Sequence, residues 1–494
     1  MVRSFPRGFV LLGLAASSAG CAQIAGIEET SGPPDRVSLT IDRVSIGATV
    51  VESPQDLSQE TATFLVRDDT AADGLARLPA ELTETNVWSA SVPGDAPAIM
   101  FSLPDHPTPR VRIWDFGVRT QRATFAVYEH PAPAPAPEDA TVTVEAALPT
   151  PYVAGESFTF FTAGTWTTRN FPGAELPEPD MEVMTLGPLT FPYAATKAEA
   201  GRPHEAITPE DAVLVLRYAG GLLTGVLEAT PFSQTAADKI TGTMAAVAAD
   251  QTLDVQIQPD TVAARYAPLR PAMGAPAMSW NLVAAPGAET TQTLGPSLRT
   301  SVSVAAADPG TVTLAYGNPF QERGWPAVFT WSTSASRTIT PAGQALPVTL
   351  RAQLYTRVLP EPGQLVELSA GLPELIAIDG VPLSTDGIEL PRPTRAVTVD
   401  LVATGDNTVY GVELFELVPN ADGTALEHQF VISSHALGPS LVLPPEMFEP
   451  GKLYTLRAST VSGSYPELAS GDLGQRSLPV SVAYHDSGVF TVLP

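Results

Sequence analysis

The stretch Phe448-Glu449-Pro450-Gly451-Lys452-Leu453-Tyr454-Thr455-Leu456-Arg457-Ala458 decides the fold. Pro450-Gly451 reads as a turn, because proline presets φ for one corner and glycine tolerates a left-handed one. Beyond it Tyr454, Leu456 and Ala458 alternate with Thr455 and Arg457. Alternate residues of an extended chain share a face, so this is the two-residue period of a half-buried strand.

Working outward, Asp379-Gly380, Asp386-Gly387 and Asp422-Gly423 are hairpin-type turn pairs set between alternating runs. The spacing of a large apolar residue, Pro, Gly and Tyr from Phe448 to Tyr454 resembles the fibronectin type III family, with Lys452 where that family usually has Thr. The resemblance covers roughly Val397 to Leu493. It implies a β-sandwich whose tyrosine hydroxyl bonds back to the chain near the start of a strand. It implies a fold and no chemistry.

The same grammar runs through the rest of the chain. In the 494 residues, 49 prolines and 38 glycines are dispersed. Proline interrupts helix interiors and central strands alike, so short strands joined by turns are favoured. Val37, Leu39 and Ile41 alternate with Ser38, Thr40 and Asp42. Further strands are expected at Thr61–Val66, Val87–Val92, Ile99–Leu103, Val111–Phe116 and Ala123–Tyr128. The fold class is therefore all-β, a tandem of Ig-like or fibronectin type III-like sandwiches.

The expected order is a signal peptide over 1–20, a tether over 21–35, a sandwich over 36–130 and a Pro-Ala linker over 131–139. A β domain over 140–275, a sandwich-like domain over 276–360 and a fibronectin type III-like sandwich over 361–494 follow. The linker, alternating from Pro131 to Pro137, favours the extended polyproline form. A long acidic loop, Pro172 to Pro209, carries Glu175, Glu178, Asp180 and Glu182.

The first residues address the chain. Arg3 and Arg7 form a positive segment, Gly8 to Ala16 an apolar one, and Ser18-Ala19-Gly20 lead into Cys21. That is the layout of a secretory signal peptide, and the apolar run is too short to span a bilayer. It resembles the leaders of bacterial lipoproteins, with Ser18 where Leu is usual. The resemblance implies cleavage before Cys21, lipidation of its sulfur and a place at the outer membrane. Each buried acyl methylene would add about 0.8 kcal/mol of anchoring. The alternative is a soluble secreted protein cut after Ala19. Cys21 is the only cysteine, so an internal disulfide is excluded and its position favours the lipid.

Chemistry is sparse. A net charge of −26 disfavours nucleic acid and anionic lipid surfaces as partners. The six histidines are scattered, and His428 and His435, seven apart on a strand, would face opposite ways. No G-x-S-x-G elbow, phosphate loop or zinc spacing occurs, so no catalytic residue, metal or cofactor is expected. Asp68-Asp69 with Asp73, and Asn420 with Asp422 and Glu427, offer calcium-type oxygens, although turn chemistry accounts for them too. Phe329 and Trp331, two apart on one strand face, are the candidate ligand-binding pair: a sugar-stacking platform or ordinary core.

The expected function is that of a lipid-anchored envelope or surface protein, a non-enzymatic structural or adhesive β-sandwich rod. Its partners would be the membrane, through the anchor, and a surface protein or glycan. The alternative is a carbohydrate-binding or accessory module of an extracellular degradative system.

Overall fold

A computed structural model describes residues 36–494 apart from 47–49, 93, 95–96, 104–109, 129–135, 138, 164–166, 172, 177–182, 194–205, 210, 236, 259, 286–294, 302–303, 306–309 and 473–476. The signal peptide, Cys21, the tether, most of the Pro-Ala run, much of the acidic loop, and His106, His130 and His204 lie outside the described residues. The fold is all-β, with 56% of the described residues in strands and 5% in helices.

The first sandwich comprises β1 (Arg36–Ile46), β2 (Val50–Pro54), β3 (Thr61–Arg67), β4 (Leu75–Pro79), β5 (Glu81–Glu84), β6 (Val87–Ser91), β7 (Ala98–Leu103), β8 (Arg110–Asp115) and β9 (Thr120–Tyr128). One sheet runs β2-β1-β6-β5 with β9 parallel to β1, the other β4-β3-β7-β8. Val37, Leu39 and Ile41 of the first pack on Phe64, Ile99 and Phe101 of the second, as the alternation requires.

The second has β10 (Thr141–Ala147), β11 (Ser157–Thr162), β12 (Thr167–Phe171), β13 (Thr185–Pro192), β14 (Val213–Ala219), β15 (Leu222–Glu228), β16 (Ala237–Thr243) and β17 (Ala245–Ala246). The third has β18 (Gln251–Ile257), helix α1 (Asp260–Tyr266), β19 (Ala277–Ala284), β20 (Ser297–Thr300), β21 (Val304–Ala305), β22 (Gly310–Tyr316), β23 (Ala327–Ile339), β24 (Val348–Val358) and β25 (Gln364–Leu365). The fourth has β26 (Pro373–Ile378), β27 (Val381–Pro382), β28 (Ile388–Leu390), β29 (Val397–Ala403), β30 (Val409–Pro419), β31 (Leu426–Ala436), β32 (Ser440–Leu443), β33 (Leu453–Gly463), β34 (Val480–Asp486) and β35 (Phe490–Val492).

Each of these has one private sheet: β13-β10-β16, β22-β18-β25 and β27-β26-β29-β32. The opposing sheets fuse. Pairing continues along β12-β11-β14-β15-β20-β19-β23-β24-β34-β33-β30-β31-β8-β7-β3-β4, a 20-stranded network with its side branches.

Two corrections to the expected domains follow. The break at 275 is crossed, because β18 and α1 pack in one core with β19, β23 and β24. The break at 360 is crossed as well, since β25 pairs with β18 and Val366, Leu368 and Leu372 belong to that same core. Nor do the sandwiches follow one another in chain order. The sheet network runs second, third, fourth, first.

The first sandwich is fastened to the fourth. β8 pairs in parallel with β31, Ile432 to Ala436 against Val111 to Asp115. Leu65 and Ile113 of the first sandwich are buried in the fourth's core, each contributing about 1.5–3 kcal/mol. Phe116 packs on Val409 and Leu468, the Arg122 N–H donates to the Gly471 carbonyl, and Arg77 pairs with Glu446. A mutual edge like this covers strands that would otherwise template aggregation.

Part of the 172–209 stretch is strand, not loop: β13 pairs with β10. Its Pro188 hides the signal, because proline is tolerated in a sheet where the ladder is broken, and here the register shifts between Val144 and Ala146. Asp379 (φ 46) and Gly380 (φ 79) do form the expected tight hairpin between β26 and β27. Asp386-Gly387 does not; β28 pairs in parallel with β35, and Asp386 instead forks onto Arg337 and accepts from the Val489 N–H.

Candidate functional site

At the seam between the first and fourth sandwiches lies a cavity of about 410 Å³, lined by residues of β3, β4, β7, β8, β31 and β32. The registers explain which side chains reach it. Ile113 pairs with Ser434 and Asp115 with Ala436, and residues two apart share a face, so Ile113, Asp115 and Ser434 look the same way. Leu65 and Arg67 are likewise two apart on β3, with Leu65 opposite Ala98 and Arg67 opposite Leu75. The result is an aliphatic chamber of Leu65, Leu75, Ala98, Ile113 and Val442 with three polar groups set in it.

None of the three is used up by the fold. Among the described residues, neither Arg67 nor Asp115 makes an ion pair or side-chain hydrogen bond. Ser434 is 1% exposed and its hydroxyl has no partner. An orphaned buried hydroxyl costs about 1–3 kcal/mol. Burial raises the Asp115 carboxyl pKa, and the nearby Arg67 charge pulls it partly back. A largely apolar pocket with a few convergent polar groups, one with a perturbed pKa, is the usual form of a ligand site.

A second, more open cleft of about 510 Å³ lies where the second sandwich meets the third. Two of its polar groups are already engaged. Glu228 pairs with Arg323, and the Asn318 side chain donates to the Trp325 carbonyl and accepts from the Phe320 N–H.

The expected aromatic platform is overturned. Phe329 is 0% and Trp331 1% exposed, both inside the third sandwich's core. They do share a strand face, but that face is covered by the opposing sheet and helix α1, whose Leu253, Val255, Leu314 and Val262 lie in the same core. A pyranose cannot reach either ring. Cys21 lies outside the described residues.

Three of the groups considered for calcium, Asp68, Asp73 and Asn420, are engaged locally. Asp68 accepts from the Thr70 N–H and hydroxyl, Asp73 pairs with Arg77, and Asn420 accepts from the Thr424 and Ala425 N–H groups. Among the described residues no group of three or more His, Cys, Asp or Glu could hold a metal ion.

One constellation carries acid-base residue types. Buried Asp486 accepts from Arg457 at 2.7 Å and from the Arg351 N–H at 2.9 Å, with the His428 Nε2 at 3.9 Å. Arg457 lies between the rings of Phe415 and Tyr484, 5.0 and 4.8 Å from their centroids. Burial lowers the His428 pKa, and Asp486 only partly offsets it. Asp486 is 0% exposed, so this cluster braces the joint between β33, β34 and β24 and meets no substrate.

Sequence reasoning did not single out the cavity residues. They come from segments more than 300 positions apart. The one local trace is Ser433-Ser434-His435, a polar run inside a strand whose neighbours are apolar.

No family model matches the chain, and no curated protein does. Among solved structures it is similar to Escherichia coli alpha-2-macroglobulin activated by porcine elastase, at 8% identity and a TM-score of 0.14. That match covers 93% of this chain and 43% of the other, so the chain spans less than half of that protein. A likeness this slight carries no argument.

Proposed function

We propose that this chain is a lipid-anchored protein of the bacterial cell envelope, held at the outer membrane through Cys21, whose sandwiches form a non-enzymatic scaffold or adhesive body. The observation that carries the reading is the leader: two arginines, an apolar run and Ala19-Gly20 ending in the only cysteine of 494 residues. Two or three acyl chains on Cys21 give stable anchoring, since one chain alone binds only marginally. The body adds support of its own kind. Its four sandwiches are joined by shared strands, so a pull on the tether passes through the β8–β31 ladder into the whole assembly.

The fourth sandwich is read as fibronectin type III-like, supported by the bond between the Glu449 N–H and the Tyr454 hydroxyl. A protein surface is the partner this reading proposes, since the glycan reading through Phe329 and Trp331 has lost its residues to the core.

Fractionation and protease shaving of intact cells, wild type beside Cys21→Ser, test the proposal. Wild type in the membrane fraction with Cys21→Ser released or unprocessed is the expected result. Equal release of both proteins would overturn the anchor, and hydrolysis of a substrate panel by the purified chain would overturn the non-enzymatic role.

A further inference from the structure

We infer that the seam cavity binds a small zwitterion with an apolar body, a dipeptide or amino acid with aliphatic side chains. The chamber of about 410 Å³ falls within the range of small-molecule sites, and Leu65, Ile113 and Val442 supply an aliphatic wall. Its two charged groups have opposite sign, line the same space and are not paired with each other. A ligand of one sign would be attracted by one of them and repelled by the other. A zwitterion satisfies both.

The geometry of the groups assigns the ends. The planar Arg67 guanidinium takes a carboxylate through a two-pronged fork. The Asp115 carboxylate accepts from an ammonium. Burial of Asp115 sharpens the preference, because a carboxyl held in apolar surroundings gains more from an incoming cation than an exposed one does. The same features argue against other ligands. A sugar needs several side-chain hydrogen bonds, and the chamber offers one hydroxyl between aliphatic walls. A phosphate would meet a carboxylate beside its only arginine.

Occupancy would also tighten the seam, since the ligand touches both sandwiches. The site therefore reports on the docking of the first sandwich against the fourth.

Isothermal titration of the full chain carrying Cys21→Ser is the test, with leucyl-leucine, its N-acetyl form, its C-terminal amide and the doubly blocked peptide as probes. The zwitterion is expected to bind, and each single block to weaken it by about tenfold or more, one charge pair's worth of roughly 1.4 kcal/mol. In Asp115→Asn the acetyl group should no longer matter, and in Arg67→Met the amide should no longer matter. Unchanged melting temperatures of these two variants establish that they are folded. Ala98→Phe, which fills the chamber from its wall, should abolish binding. No heat from any probe at millimolar concentration, or equal binding of the doubly blocked peptide, overturns the proposal.

Discussion

The hydroxyl of Tyr454 accepts a hydrogen bond from the backbone N–H of Glu449 at 2.9 Å. Five residues apart, the two pin the Pro450-Gly451 turn to the start of β33. The Tyr454 ring is 1% exposed and stacks on Phe490, 5.8 Å away, so the hydroxyl is aimed by packing before it bonds. Tyr454→Phe keeps the ring and deletes the bond. Chemical denaturation should show a loss of about 1–1.5 kcal/mol with an unchanged m-value. An unchanged midpoint would mean the corner contributes nothing.

Gly371 sits where the third sandwich hands over to the fourth, and a Cβ there would lie 1.2 Å from the Thr404 carbonyl oxygen. The same backbone receives the Thr460 hydroxyl on its carbonyl at 2.6 Å and donates to Asn407. Gly371→Ala must push backbone against backbone and should destabilise by at least about 2 kcal/mol. Gly438→Ala, with open space around its Cβ, should stay within about 0.5 kcal/mol. Thermal melts of the two side by side check the contrast.

Gln121 is 0% exposed, and both polar atoms of its amide lack hydrogen-bond partners. Unsatisfied buried amides destabilise by about 1–3 kcal/mol, and an apolar residue of like shape removes the penalty. Gln121→Met should therefore raise the melting temperature. A lower one would mean the amide has a partner, such as a buried water, that the fold depends on.

Acid should loosen the seam between the first and fourth sandwiches. The His435 ring packs over Gly411, its Nδ1 is sealed without a partner, and burial with the nearby Arg112 charge pushes its pKa down to about 4. The unfolded chain, with histidine near 6.5, then binds more protons than the folded one between pH 6.5 and 4. Stability is full above that window and falls as pH drops through it, by on the order of 2–3 kcal/mol. Burial lowers the His428 and His485 pKa values as well, with the same sign. Asp115, raised by burial, works the other way and gains as pH falls through its folded pKa. In His435→Gln the slope of stability against pH over that window should flatten; an unchanged slope would locate the acid sensitivity elsewhere.

Local alternation made most strands legible. Thr61–Val66, Val87–Val92 and Ile99–Leu103 each match a strand to within a residue, because one face of each is apolar or aromatic. What alternation cannot name is the partner. Val111–Phe116 reads as a strand, yet nothing in it says that its free edge meets residues 432–436. Val213-Leu214-Val215-Leu216 did carry a trace of the assembly. Its unbroken apolar run means burial on both faces: Val213 and Val215 lie in the second core, Leu214 and Leu216 in the third. Short exposed strands such as Glu81–Glu84 leave no pattern at all. The Phe329–Trp331 spacing marks one strand face, but a face is core or surface according to what covers it, and the opposing sheet β22-β18-β25 and helix α1 are not part of the local pattern.

The docking of the first sandwich on the fourth is the centre of the account, and a cross-link tests it directly. Ile113 and Ser434 are register partners on adjacent strands, about 4.8 Å apart, within the range a disulfide bridges. In a Cys21→Ser background, Ile113→Cys with Ser434→Cys leaves two thiols in the chain. Oxidation should close a loop of roughly 320 residues within one molecule, consume both thiols and speed migration on a denaturing gel. Two thiols that stay free, or bridges that form only between molecules, would contradict the seam and with it the docking of the first sandwich on the fourth.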